Sequence, residues 1–106
     1  MANARIRMPT KARAGEIIEI KALAFHTMES GFRVDNIGRI IPRHIIEHFV
    51  CTYGGEEVFR VRFHPAVATN PYVAFSVLVQ GGGEFVFTWT DDRGGVLTER
   101  TRLDLA

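Results

Sequence analysis

Hydrophobic and polar positions alternate with a period of two along most of this chain. Ile18, Ile20, Ala22 and Ala24 fall on one face of residues 16–25, with Glu19 and Lys21 on the other. That alternation predicts a strand with one face buried and one in water. Arg5-Ile6-Arg7-Met8 alternates likewise and stops at Pro9. Residues 45–53 are β-branched and aromatic, with Phe49, Cys51 and Tyr53 on a common face. Gly54-Gly55 then supplies a two-residue hairpin turn, because glycine accepts positive φ. The return strand over 57–63 turns Phe59, Val61 and Phe63 inward and Arg60 and Arg62 outward. Residues 84–90 put Phe85, Phe87 and Trp89 on one face, Asp91-Asp92-Arg93-Gly94-Gly95 makes a turn, and residues 96–103 close the pattern.

Other segments carry a different pattern. His64-Pro65-Ala66-Val67-Ala68-Thr69-Asn70-Pro71 is turn-rich and sits between two strand-like runs. It is expected to carry the chain from one sheet to the other, with a single helical turn over 67–70. The next strand, 72–79, is apolar on both faces and is expected to be covered on both, by the sister sheet and by a loop or partner. Gly81-Gly82-Gly83 ends it. This is read as a flexible turn, since the Lys and helix of a phosphate loop do not follow. The longest irregular stretch is 26–43, and a loop of that length in a compact domain is usually functional or disordered. About seven short strands with turn signals between them predict an all-β fold: one immunoglobulin-like β-sandwich of antiparallel strands over 1–106.

Composition narrows the picture. The chain has 106 residues, 46% of them apolar and eight of them Phe, enough for a core without disulfide or metal. A net charge of +1 argues against a dedicated nucleic-acid binder, whose basic face would supply most of its affinity. No run approaches the ~20 apolar residues of a membrane-spanning helix. Cys51 is the only cysteine, so no internal disulfide forms, and mid-strand it reads as a buried thiol. Met1-Ala2-Asn3-Ala4-Arg5 leads straight into patterned sequence without the apolar core of a signal peptide, which taken alone suggests a cytoplasmic or processed chain.

Candidate chemistry is sparse. His44-Ile45-Ile46-Glu47-His48 matches the H-x-x-E-H pattern of a zinc peptidase class. That chemistry needs both histidines on one helix face. Pro42 and the β-branched neighbours favour a strand, on which His44 and His48 lie roughly 13 Å apart, too far for one ion. His26, Glu29 and His64 could converge from two loops; capping turns or meeting solvent is the simpler role. No residues are assigned as catalytic, cofactor-binding or metal-binding, and no cofactor is expected. The best functional signal is the loop His26-Thr27-Met28-Glu29-Ser30-Gly31-Phe32-Arg33, because Met, Phe and Arg are enriched at protein interfaces. Leu23 and Phe25 break the otherwise polar face of the preceding strand. Leu23, Phe25, Met28, Phe32 and Arg33 are therefore expected to contact a partner, unless the loop folds back and buries them.

Several stretches together resemble one family. Arg5-Ile6-Arg7, Gly15-Glu16-Ile17-Ile18-Glu19-Ile20-Lys21, His26-Thr27-Met28-Glu29-Ser30-Gly31, Ile41-Pro42-Arg43, Phe49-Val50-Cys51-Thr52-Tyr53, Glu57-Val58-Phe59, His64-Pro65-Ala66-Val67, Asn70-Pro71-Tyr72 and Phe85-Val86-Phe87-Thr88-Trp89 run in order across nearly the whole chain. They resemble the SoxZ family, the smaller subunit of the SoxYZ sulfur carrier of bacterial thiosulfate oxidation. The usual loop has proline where Thr27 stands.

The resemblance implies a non-catalytic subunit that pairs with SoxY. SoxY holds sulfur intermediates on a cysteine in a Gly-rich C-terminal arm. The pair is passed among a Sox cytochrome, a hydrolase and, in many bacteria, a dehydrogenase. The resemblance also implies a periplasmic location, reached by co-export with SoxY and without a signal peptide. Thr101-Arg102-Leu103-Asp104-Leu105-Ala106 has no such cysteine arm, in keeping with the smaller subunit. Two other readings stand beside it. One is a self-associating structural or binding sandwich; a SoxZ-type chain expressed without SoxY is also expected to form a homodimer, through the surface that SoxY vacates. The other is a zinc hydrolase built on His44, Glu47 and His48.

Overall fold

The computed structural model describes residues 4–64 and 70–106. These residues form eight strands: β1 (Ala4–Arg7), β2 (Lys11–Ala12), β3 (Ile17–Ala24), β4 (Ile46–Tyr53), β5 (Glu56–Arg62), β6 (Tyr72–Leu78), β7 (Gly83–Asp91) and β8 (Val96–Leu105). They make a three-stranded sheet, β1-β3-β6, and a five-stranded sheet, β2-β8-β7-β4-β5. The expected all-β sandwich is therefore the observed fold. Its strand count differs by β2, a two-residue strand paired in parallel with β8 at Lys11↔Asp104 and Ala12↔Leu105. A segment that short has too little periodicity to be read from sequence.

Period-two alternation fixes which side chains go inside. Along β3, Ile18, Ile20, Ala22 and Ala24 are buried while Glu19 and Lys21 face water. Phe49 and Cys51 of β4 meet Phe85, Phe87 and Trp89 of β7, all buried. Phe75 of β6 comes in from the other sheet. It stacks on Phe59 at 4.2 Å between ring centroids and lies 6.1 Å from Phe49. Packing of aromatic rings, with no covalent bridge, joins the two sheets. Gly54 and Gly55 turn β4 into β5 with φ of +58 and +88, the doubly left-handed geometry that a two-residue hairpin needs.

The passage from β5 to β6 does switch sheets. The helical turn expected over 67–70 falls mostly on residues 65–69, which lie outside the described residues. Asn70, within them, has φ +56 and ties back to His26 through Asn70 N–H to the His26 carbonyl and His26 N–H to Asn70 Oδ1, both 2.7 Å.

The two faces of β6 differ in cover. Phe75, Val77 and Val79 are buried, but Tyr72 is 55% and Leu78 51% exposed. The strand is apolar on both faces; the sister sheet covers one, and among the described residues no loop covers the other, which leaves a partner as the expected cover.

Candidate functional site

The long loop after β3 is organised as a hairpin without regular strands. Glu29 and His44 exchange backbone hydrogen bonds, each 2.8 Å, at its base. Ile41 N–H then donates to the Arg33 carbonyl at 2.9 Å, and Asp35 N–H to the Arg39 carbonyl at 2.8 Å. At the tip, Asp35 Oδ1 accepts the N–H groups of Ile37 and Arg39, each at 3.0 Å. These bonds hold the Asp35 carboxyl below its usual range. Gly38, at φ +86, completes the turn. An Asx turn with glycine in the left-handed position is local sequence dictating local shape.

This hairpin displays apolar side chains to water. Phe32 is 85% exposed and Ile37 72%, and Val34 and Ile40 are exposed as well. Arg33 is exposed beside them and pairs with Glu29 through its Nε and Nη2. From Phe32 to Ile40 only Asp35 is even partly covered, so the hairpin does not fold back onto the sandwich. Four large apolar residues exposed on one hairpin are costly to keep in water.

The residues expected at a partner surface divide. Phe32 and Arg33 lie on the hairpin. Phe25, 44% exposed, stands where β3 ends. Leu23 is half-buried on the outer face of β3, in register with Arg5 of β1 and Tyr72 of β6, and lines a cavity of about 300 Å³ with them. Met28 is only 5% exposed and packs into the core, with its sulfur accepting the Ile46 N–H at 3.2 Å. Met28 thus anchors the loop from inside and offers no contact surface. Val34, Ile37 and Ile40 were not singled out in the sequence. The available signal was apolar residues on both sides of the turn-forming Asp35-Asn36-Ile37-Gly38.

The base of the hairpin is bolted to the β7–β8 turn. Asp92 accepts from Arg43 Nε at 3.0 Å and from Ile45 N–H at 3.2 Å. Asp91 Oδ2 lies 3.1 Å from His44 Nε2, and its Oδ1 accepts the N–H groups of Arg93 and Gly95 at 2.9 and 2.7 Å. Burial pushes the Asp91 carboxyl up, but these hydrogen bonds outweigh it and hold the group below its ordinary range. A side chain in place of Gly95 would push that carboxylate aside.

His26 and His44 meet edge to face at 4.6 Å, and with Asp91 they bring three potential ligand atoms within 4.8 Å of one another. His26 Nδ1 accepts the Met28 N–H at 2.9 Å, so its neutral ring carries the proton on Nε2, which is buried and meets no acceptor among the described residues. A metal on Nε2 would have to displace that proton. On Nδ1 it would displace the Met28 hydrogen bond. Within the trio a hydrogen bond joins His44 to Asp91, and His26 braces His44 by ring contact.

The other expected chemistry does not assemble. Glu29 turns to Arg33, and His64 is exposed. His44 precedes β4 while Glu47 and His48 lie in it, so the helix required by the zinc-peptidase pattern does not form. Cys51 is fully buried, and burial pushes its thiol up to about 12, which keeps it from being a nucleophile at neutral pH. The Gly81 turn is pinned: the Tyr53 hydroxyl accepts the N–H groups of Gln80 and Gly81 at 3.2 and 3.1 Å and donates to the Gly81 carbonyl.

Comparison with known proteins adds a name to this geometry. A family model described as sulphur oxidation protein SoxZ matches residues 6–102. No curated protein sequence matches the chain. Among solved structures, a superoxide reductase (neelaredoxin) variant from Ignicoccus hospitalis superposes with TM-score 0.77 at 18% identity, covering 98% of this chain and 80% of that one. A putative superoxide reductase from Thermotoga maritima gives TM-score 0.74 at 17% identity, with 97% and 85% covered. The sulfur carrier protein SoxY from Chlorobium limicola f thiosulfatophilum gives TM-score 0.66 at 9% identity, with 98% and 76% covered. At these identities the likeness is one of fold alone.

Proposed function

The chain belongs to the SoxZ family of sulphur oxidation proteins, and from that premise we propose that it is the non-catalytic subunit of a SoxYZ sulfur carrier, docking SoxY with its exposed hairpin. The observation that carries this reading is the hairpin itself: Phe32, Val34, Ile37 and Ile40 stand in water on a loop whose base is rigidly braced. A preformed apolar finger loses little conformational freedom on docking, so more of its burial energy appears as affinity. Phe25 and Leu23 extend the surface at the end of β3, and Arg33 supplies a polar rim.

The subunit's part in the chemistry is to present. SoxY brings the cysteine that carries sulfur intermediates, and this chain adds a rigid recognition surface beside it. That raises the carrier's effective concentration at each Sox enzyme. Cys51, buried and with a raised pKa, does not compete for the cargo. The complex works in the periplasm, which this subunit enters together with SoxY. Transient partners are the Sox cytochrome, hydrolase and dehydrogenase.

Affinity capture of the tagged chain from cells oxidising thiosulfate tests the proposal. SoxY should co-purify in equal amount. Capture of the folded chain without SoxY would contradict it.

A further inference from the structure

Sheet edges are where a β-protein is open to pairing, and natural edges are guarded by charge, shortness or bulges. Among the described residues, every sheet edge but one is guarded. β1 has four residues, with Arg5 and Arg7 among them. β2 has two residues, one of them Lys11, and where β8 runs on beyond it the edge carries Glu99, Arg100 and Arg102. β5 carries Glu56, Glu57, Arg60 and Arg62. The exception, β6, is Tyr-Val-Ala-Phe-Ser-Val-Leu over Tyr72–Leu78, with no charge, no proline and no break in its register with β3.

The register tells which backbone groups of β6 stay free. Ala24 N–H donates to the Pro71 carbonyl and Val79 N–H to the Glu16 carbonyl. Hydrogen-bonded pairs alternate along an antiparallel ladder, so residues 73, 75 and 77 also point at β3. The N–H and C=O groups of Tyr72, Ala74, Ser76 and Leu78 face the open edge. Beside that edge a cavity of about 490 Å³ separates Ser76 and Leu78 from Glu56 and Val58 of β5, so β5 does not cover it there.

We propose that the β6 edge pairs with the β6 edge of a second copy of this chain, in antiparallel register about Phe75. This goes beyond the hairpin docking above and does not depend on it. The strand is complementary to itself. A two-fold axis at Phe75 sets Tyr72 against Leu78 of the second copy and Ala74 against Ser76, and it engages all four free N–H groups at once. No like charges meet, and the exposed apolar faces of Tyr72 and Leu78 cover each other. Two seven-residue strands bury little compared with a standard interface of about 1,600 Å², so the dimer is weak and concentration-dependent.

Sedimentation velocity of the full chain, from micromolar to near-millimolar, tests the pairing. Three proteins are compared: wild type, Ala74→Lys with Ser76→Lys, and Ala74→Lys with Ser76→Glu. Both positions are exposed, and the near-ultraviolet signal of the buried Trp89 checks folding. In the proposed register position 74 faces position 76 of the other copy. The lysine pair should therefore weaken self-association by about tenfold, and the Lys/Glu pair should restore it. Hydrogen exchange at Tyr72, Ala74, Ser76 and Leu78 should slow as concentration rises. A wild type monomeric throughout, equal dimerisation of all three proteins, or slowing only when a different protein is added would overturn the proposal.

Discussion

Phe32 and Met28 lie four residues apart, and exposure gives them opposite jobs. Phe32, 85% exposed, contributes nothing to its own domain's core, so Phe32→Ala should leave the melting temperature unchanged. It should weaken SoxY binding about tenfold or more, as loss of an aromatic anchor does, read by isothermal titration. Met28→Ala should behave in reverse. It opens a hole beside Ile46 and removes the acceptor of the Ile46 N–H, costing roughly 2–4 kcal/mol in chemical denaturation. Sequence alone gave both residues one role, because Met and Phe have similar interface preferences and a loop has no period to tell inward from outward. His26 adds a pH effect. Burial, and then the charge of His44, push its pKa below 6.5, against the opposing pull of Asp91 and Asp92. A depressed folded-state value means stability that is full above about 6.5 and declines as pH falls toward the folded pKa. Wild type should therefore lose more melting temperature between pH 7.5 and 5 than His26→Gln does; equal losses would remove His26 from the brace.

At the scale of elements, the strands were legible and the hairpin was not. Alternation marked β3, β4, β5 and β7 because each has one face on the core, and the paired glycines marked the β4–β5 turn. On β6 apolar content signalled cover for both faces, but a local pattern does not tell a loop of the same chain from a partner. Residues 29–44 lack alternation because neither side of the hairpin packs on the core, so no hydrophobic period is imposed there. Its shape rests on the Asp35 carboxylate and on the brace from Asp91 and Asp92, contacts separated by up to 49 residues that a local pattern cannot reveal. Asp35→Ala should release the tip. Amide exchange at Ile37 and Arg39 should quicken while the sandwich core stays protected, and SoxY affinity should fall because the finger must then be ordered on binding.

For the whole molecule, the family was legible because many short stretches recur in order along the chain, and the family match over residues 6–102 bears it out. Fold likeness alone would have left the function open, since superoxide reductases share this sandwich as closely as SoxY does. The layout of the surface is what the sequence left unstated: a braced apolar finger at one place and a bare sheet edge at another. The most direct test of the central claim is hydrogen exchange of this chain with and without purified SoxY. Slowed exchange concentrated in residues 29–44, saturating at one SoxY per chain, is the predicted result. Stoichiometric binding that leaves 29–44 unchanged, or no binding at all, would contradict it.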